Sequence, residues 1–239
     1  MQKASSNLIK DLKKQKREKS SLLFLDNFKI IKDAIGQGLK PLLMLVADEI
    51  DWQIDCPVYK AERFQIEQLA DSTTPQNVLC VLEYTQHIVE KPKSNFLVLD
   101  GLQDPGNVGT LIRTAKACGF DSVFLVDSVK PTNPKLVRST VGTLFTSKVY
   151  SMTKKQFIDF AKKENLQLLV ADMNGENIFE YSSNSTIGVV LGNEGQGVSK
   201  ELREICTKTI KIPMKEGVES LNVAVSGAII MYQMAKDNF

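Results

Sequence analysis

The sequence predicts an α/β protein in two parts built on parallel sheet, and three observations predict it. Short, near-continuous apolar runs recur along the chain between turn-forming residues, the pattern of strands buried on both faces. Amphipathic segments of helical period separate them. One segment, TQHIVEKPKS (85–94), breaks the alternation with Pro92 and a cluster of charges and reads as a linker, giving domains at 1–90 and 91–239. The chain has 239 residues, 43% hydrophobic and 24% charged, a globular composition long enough to bury a core in either part.

In chain order, KDLKKQKREKS reads as a basic helix with Leu8, Ile9 and Leu12 on its thin apolar side. LLFL (22–25) and PLLMLVA (41–47) are strands around the helix NFKIIKDAIGQG (27–38), which has Asn27 as N-cap candidate and a Gly stop, a βαβ pattern. VY (58–59), AERFQIEQLA (61–70) and NVLCVLEY (77–84) add strand, helix and strand, the last after the turn-rich DSTTPQ. The second part repeats the alternation with NFLVLD (95–100), the helix PGNVGTLIRTAKACGF (105–120) and SVFLVD (122–127). A loop with two prolines, a short helix near Lys135–Thr140 and the amphipathic TKKQFIDFAKKEN (153–165), with Phe157, Phe160 and Ala161 inward, follow. LQLLVAD (166–172), TIGVVLG (186–192) and TKTIKIP (207–213) are strands, and LNVAVSGAIIMYQMAK (221–236) is a largely apolar helix, too apolar for one face to be in water. Its Val225, Ala228, Ile229 and Met231 belong in the core or in a dimer interface.

Charge and cysteine usage exclude several classes. The first 20 residues carry seven basic against two acidic side chains, a net +5, leaving −3 on the other 219. Such a basic strip neutralises phosphates or is simply solvated. The longest uncharged stretch, Ser220–Ala235, contains two Ser, an Asn and a Gln and is too short for a membrane span, and no secretory signal opens the chain, so the expected compartment is the cytoplasm. Cys56, Cys80, Cys118 and Cys206 are far apart, with a single histidine, His87, to share a metal, so neither zinc nor a disulfide framework is expected. His87 falls in the linker, and Trp52 and Tyr59 are read as packing residues ahead of aromatic stacking platforms for a ligand.

Parallel sheets bind ligands beyond the carboxyl ends of their strands. Three strand ends here are unusual: NFLVLD leads into GLQDPGNVGTLIRTA, TIGVVLG into NEGQGVSKE, and TKTIKIP into MKEGVESLNVAVS. Gly192, Gly195 and Gly197 run G-x-x-G-x-G, the wrong order for a dinucleotide turn, and no P-loop is present.

The segments DGLQDPGNVGTLIRTAKACGF, VLGNEGQGVS and IKIPMKEGVESLNVAVSGAIIMYQ resemble the three signature motifs of the SpoU-type RNA 2′-O-ribose methyltransferases of the SPOUT class, in family order over about the last 145 residues. Residues 1–90 are more diffusely similar to that family's N-terminal substrate-binding domain, an α/β module like a ribosomal protein. FLDN (24–27) stands where relatives often carry an F-L-x-E-G-like segment. The resemblance implies S-adenosylmethionine as methyl donor, a homodimer, a C-terminal trefoil knot and an RNA substrate, large-subunit ribosomal RNA ahead of transfer RNA. A catalytically silent RNA-binding or ribosome-assembly protein is the competing class. Retention of Asn107, Arg113, Glu194, Ser220 and Asn222 together argues against it.

A ribose hydroxyl is a poor nucleophile, so methyl transfer needs it held in line and its developing charge stabilised. The motifs place Arg113, seven residues after Gly106, in that role. Arginine does not readily lose a proton, so orienting the hydroxyl and stabilising charge suit it better than acting as base. Asn107, as helix cap, positioning group or both, and Glu194, which orients Asn107 or Arg113, complete the implied catalytic set with Ser220 and Asn222, either of which also suits a cap for the last helix. The implied cofactor pocket comprises Leu191, Gly192, Gly195, Ile212, Met214, Leu221 and Ala224, aliphatic walls with glycines that admit close backbone approach. Lys13, Lys14, Lys16 and Arg17 are the expected phosphate contacts.

Overall fold

The computed structural model describes residues 1–18, 21–183, 185–217 and 219–238. Lys19 of the basic segment and Val218 of the third motif are outside the described residues. The chain forms two compact units, Met1–Thr85 and Gln86–Phe239, divided inside the segment 85–94. No helix among the described residues is long and apolar enough to cross a membrane.

The first unit holds a five-stranded sheet of β1 (Gln2–Lys3), β2 (Leu22–Leu25), β3 (Pro41–Val46), β4 (Val58–Lys60) and β5 (Val78–Glu83), in the order β1-β4-β3-β5-β2. The expected βαβ pattern is modified: β5 lies between β2 and β3, antiparallel to both. The turn-rich segment before β5 reverses the chain, and the fully apolar VLCVL, whose residues are at most 1% exposed, suits an interior position. The remaining pairs, β3 with β4 and β4 with β1, are parallel.

Helix α1 (Ser6–Arg17) starts where the Ser5 hydroxyl accepts from the Leu8 N–H at 3.2 Å. Its Ile9 and Leu12 join a core with Phe24, Leu45, Ile66, Leu69 and Leu79, each such burial contributing about 1.5–3 kcal/mol. Helix α2 (Phe28–Gly36) is capped by Asn27, whose Oδ1 accepts from the Ile30 N–H. The neighbouring Asp26 is buried and its Oδ2 accepts from the Asp71 and Ser72 N–H groups and the Ser72 hydroxyl. FLDN thus forms its own cap and anchor, and no glycine is required there. Helix α3 (Arg63–Glu67) is shorter than its sequence period suggests. Tyr59 packs on the core and Lys32 Nζ stands 5.4 Å from the Trp52 ring centroid.

The cations of α1 divide. Lys16 is mostly buried, pairing with Asp71 at 2.8 Å, donating to the Leu69 carbonyl and lying over Phe24. Lys13 donates to Gln68 Oε1 at 2.6 Å. Lys14 and Arg17 are exposed, Lys14 with Glu18 at 3.8 Å.

The second unit is a six-stranded, wholly parallel sheet of β6 (Phe96–Asp100), β7 (Ser122–Val126), β8 (Lys148–Met152), β9 (Gln167–Asn177), β10 (Ile187–Gly192) and β11 (Lys208–Lys211), in the order β11-β9-β10-β6-β7-β8. Strand β8 was not predicted, because KVYSM has only Val149 and Tyr150 fully buried between polar flanks. Among the described residues, five α-helices connect or cover the strands: α4 (Pro105–Ala117), α5 (Pro134–Ser139), α6 (Lys154–Lys163), α7 (Lys200–Arg203) and α8 (Val223–Ala235). Phe124 centres the core, with the rings of Phe96, Tyr150, Phe157 and Phe160 between 5.1 and 5.7 Å away. On α8, Val223, Ala224, Gly227, Ile230 and Met231 face inward, while Val225 and Tyr232 are about half exposed. His87 is exposed.

The strand order reverses between β6 and β10. From β6 the chain builds outward through β7 and β8, then crosses to the other side for β9, β10 and β11. The crevice beyond the ends of β6 and β10 is the topological switch point of this sheet, where such folds bind ligands.

The split among the α1 cations is testable. Lys16→Ala should destabilise the first unit by about 1.5–3 kcal/mol, the scale of a charge-assisted hydrogen bond, and Lys14→Ala by no more than about 0.5 kcal/mol. Urea unfolding followed by the fluorescence of Trp52, the single tryptophan, reads this unit.

Candidate active site

The loop after β10 is shaped by one close approach. A Cβ on Gly192 would lie 2.1 Å from the Gly197 carbonyl carbon, so only glycine lets the chain fold back on itself here. Asn193 and Gly197 then pair as an antiparallel bridge, with the Gly197 N–H donating to the Asn193 carbonyl at 2.7 Å. The Asn193 side chain accepts from the Gly195 N–H and donates to the Gly101 carbonyl beyond β6. Buried Asp100, the last residue of β6, accepts from the Ser199 N–H at 2.7 Å and closes the loop's far end. The tip of this fixed loop carries Glu194.

Helix α4 begins with Asp104 as N-cap and Pro105 in the first helical position. The cap is therefore Asp104 and not Asn107, since a proline at the first helical position needs its capping acceptor immediately before it. Asp104 accepts from the Asn107 N–H at 2.8 Å, and that hydrogen bond, with Lys135 nearby, holds its carboxyl below the usual range. The cap is ionised at neutral pH and its contribution is lost as pH falls through the lowered value.

With its backbone used by the cap, the Asn107 side chain turns to Glu194, donating from Nδ2 to Oε1 at 2.5 Å. Asn222 caps α8, its Oδ1 accepting from the Ala224 and Val225 N–H groups. Its Nδ2 reaches Asn107 Oδ1 at 3.1 Å and Glu194 Oε1 at 3.3 Å. Three expected site residues from three separate segments thus form one hydrogen-bonded cluster. The N-termini of α4 and α8 both lie beside the Glu194 carboxylate, where the helix dipoles favour negative charge.

A cavity of about 600 Å³ adjoins this cluster, in the range of small-ligand sites. Of the seven expected pocket residues, Leu191, Gly192, Ile212, Met214 and Leu221 line it, together with Glu194, Ser220 and Asn222. Gly195 and Ala224 do not. Gly195 is at the exposed loop tip, and Ala224 is buried in the first turn of α8. Arg113, two turns along α4, is exposed and lines no part of the cavity, and its side chain has no hydrogen bond or ion pair among the described residues. Sequence reasoning missed Ala171, Asp172 and Met173 on the cavity wall, because LQLLVAD reads as an ordinary strand end.

No group of three or more His, Cys, Asp or Glu among the described residues has the proximity to hold a metal. The four cysteines are free, and burial pushes the Cys80 thiol up to about 12 and that of Cys206 up to about 11, so neither offers a thiolate at neutral pH.

Comparison with known proteins finds relatives of this chain among RNA methyltransferases. The SpoU rRNA Methylase family model matches residues 94–232. The chain is 29% identical to the 23S rRNA (guanosine(2553)-2′-O)-methyltransferase RlmP of Bacillus subtilis over 97% of both chains. It is 31% identical to the 23S rRNA (guanosine-2′-O-)-methyltransferase RlmB of Bordetella pertussis, over 74% of this chain and 76% of that one. The same fold occurs in the AdoMet-bound rRNA methyltransferase of Sinorhizobium meliloti (TM-score 0.86, 22% identity, 100% and 97% of the two chains). It also occurs in the SpoU methyltransferase AviRb of Streptomyces viridochromogenes in complex with AdoMet (TM-score 0.86, 20% identity, 98% of each).

Two glycines of the loop should respond oppositely to a methyl group. Gly192→Ala forces backbone apart and should cost about 1–3 kcal/mol, lowering the unfolding midpoint by about 3–10 °C. At Gly195 a Cβ would meet only the Asn193 side chain, at 3.5 Å, and Gly195→Ala should shift the midpoint by no more than about 1 °C. Scanning calorimetry of both variants checks the contrast.

Proposed function

The chain belongs to the SpoU rRNA Methylase family, and from that premise we propose that it transfers a methyl group from S-adenosylmethionine to a ribose 2′-hydroxyl of large-subunit ribosomal RNA. The observation that carries the proposal is the cavity at the β6/β10 switch point, opening on the Asn107–Glu194–Asn222 cluster. The residues present fit the cofactor. Leu191, Ile212, Leu221 and Ile230 offer apolar walls for an adenine and a methionine chain, beside glycine backbone at Gly192 and Gly197. When bound, S-adenosylmethionine supplies an electrophilic methyl group on a sulfonium.

The remaining chemistry falls to this chain. Asn107 and Asn222 hold Glu194 in one place, and the cluster fixes the starts of α4 and α8 at the mouth of the cavity. Ser220, on the rim, is within the same lining and suits a polar contact to the incoming nucleotide. The Arg113 guanidinium offers a planar fork of N–H donors, which suits it to orient the ribose hydroxyl and its phosphate and to stabilise the oxygen as it becomes negative. Because Arg113 is outside the cavity of its own chain, we place it in a homodimer, supported by the half-exposed Val225 and Tyr232 on α8. The return of the chain from β11 at the sheet edge to α8, packed on α4 and β10, supports a trefoil knot.

The first unit is assigned to RNA binding. The match to the Bacillus subtilis enzyme runs through this unit as well, and α1 carries the exposed Lys14 and Arg17 with Lys13 beside them. Lys16, committed to Asp71, contributes structure instead. An RNA substrate of this kind supports a cytoplasmic location.

Calorimetry with S-adenosylmethionine and no added metal tests the cofactor assignment, with saturable binding expected and its absence contradicting the proposal. Arg113→Ala should lower methyl transfer by about 100-fold or more while leaving cofactor affinity unchanged, and Arg113→Lys should rescue only partly. Activity recovered on mixing Arg113→Ala with Asn222→Ala chains would mean the two residues serve one site from different subunits. Replacing Lys14 and Arg17 with Ala should flatten the salt dependence of RNA binding by about one unit of slope each; an unchanged slope would leave α1 a solvated helix.

A further inference from the structure

Strand β9 is interrupted at the cavity. Val170 pairs with Thr209 of β11, yet the next residue of β11, Ile210, pairs with Glu176. Residues 171–175 therefore leave the ladder, well beyond the single extra residue of an ordinary bulge. Gly175 permits their return: a Cβ there would sit 2.5–2.6 Å from the backbone of Ile210 and Thr209. The excursion presents Ala171, Asp172 and Met173 to the cavity.

Asp172 is held as an anion. Its Oδ1 accepts from the Asn174 N–H at 3.1 Å and its Oδ2 from Arg203 at 2.6 Å. These bonds, the Asn174 N–H foremost, keep its carboxyl below the ordinary carboxylate range. A carboxylate has about four acceptor positions, so with the Asn174 and Met173 N–H groups and Arg203 as donors Asp172 keeps acceptor capacity, and it lines the cavity. Arg203 already balances the charge, which makes the pair a poor receptor for a cation and a good one for neutral O–H donors.

Granted the methyl-donor assignment above, we propose that Asp172, presented by the excursion and steadied by Arg203, accepts hydrogen bonds from the vicinal diol of the bound nucleoside. A ribose diol offers two O–H donors to one carboxylate, and a missing hydroxyl leaves a desolvated charge without compensation.

Titration of wild type and Asp172→Asn with S-adenosylhomocysteine, its 2′-deoxy and 3′-deoxy analogues and 5′-methylthioadenosine tests this. Wild type should bind the ribo ligand about 10-fold or more tightly than at least one deoxy analogue. Asp172→Asn should lose a similar factor on S-adenosylhomocysteine and on 5′-methylthioadenosine, and should no longer distinguish ribo from deoxy ligands. A variant that keeps the wild-type discrimination would overturn the assignment. So would a loss confined to S-adenosylhomocysteine, which would point to the amino-acid ammonium. If the variant does not fold, the wild-type comparison suffices, since equal affinity for ribo and both deoxy ligands overturns the diol contact. No binding of S-adenosylhomocysteine by wild type would overturn the cofactor assignment and the diol contact with it, whereas binding with unaltered discrimination in Asp172→Asn overturns the diol contact alone.

Discussion

The active end of the second unit depends on one carboxylate. Glu194 accepts from Asn107, 87 residues earlier, and from Asn222, 28 residues later, and Asn222 in turn donates to Asn107 across 115 residues. Each bond is worth about 1.5–3 kcal/mol where the acceptor is charged, but their structural effect exceeds their energy. They bring the capped ends of α4 and α8 to a single point beyond the sheet, so the cavity has a fixed mouth. Two devices permit this. Gly192 allows the loop to fold back and present Glu194, and Asp104 takes over the capping of α4 and frees the Asn107 side chain.

The same economy governs the basic helix. Seen alone, α1 is a row of cations. In the fold its apolar side closes the core of the first unit, and Lys16 is drawn inward to Asp71 and the Leu69 carbonyl. Only the cations that remain in water can exchange their counterions for RNA phosphates. A structural role and the proposed electrostatic one therefore share one helix, and alternate along it by helical spacing.

Strands whose apolar runs are uninterrupted were legible in the sequence. NFLVLD, SVFLVD and TIGVVLG became β6, β7 and β10 within a residue or two because both their faces are buried. Strand order was not legible: nothing in VLCVLE states that β5 enters between β2 and β3, since neighbours in a sheet are chosen by long-range packing. KVYSM hid β8 behind polar ends, and the run through Gln167–Asn177 hid an excursion set by the backbone at Gly175. At the site, Asp104 caps α4 ahead of Pro105, and residue type alone does not separate it from Asn107, which suits a cap equally. The partners of Glu194, and the absence of Arg113 from its own chain's cavity, lie beyond any local pattern. They became visible only when three distant segments met.

A 2′-O-methyl group removes the nucleophile that alkali uses to cleave the adjacent phosphodiester, so the site of methylation can be read chemically. Large-subunit ribosomal RNA lacking the modification, incubated with the protein and S-adenosylmethionine labelled in the methyl group, should yield its label in an alkali-resistant dinucleotide. Label released by alkali as a mononucleotide would place the methyl on a base, and would contradict the account of a site built to position a ribose hydroxyl.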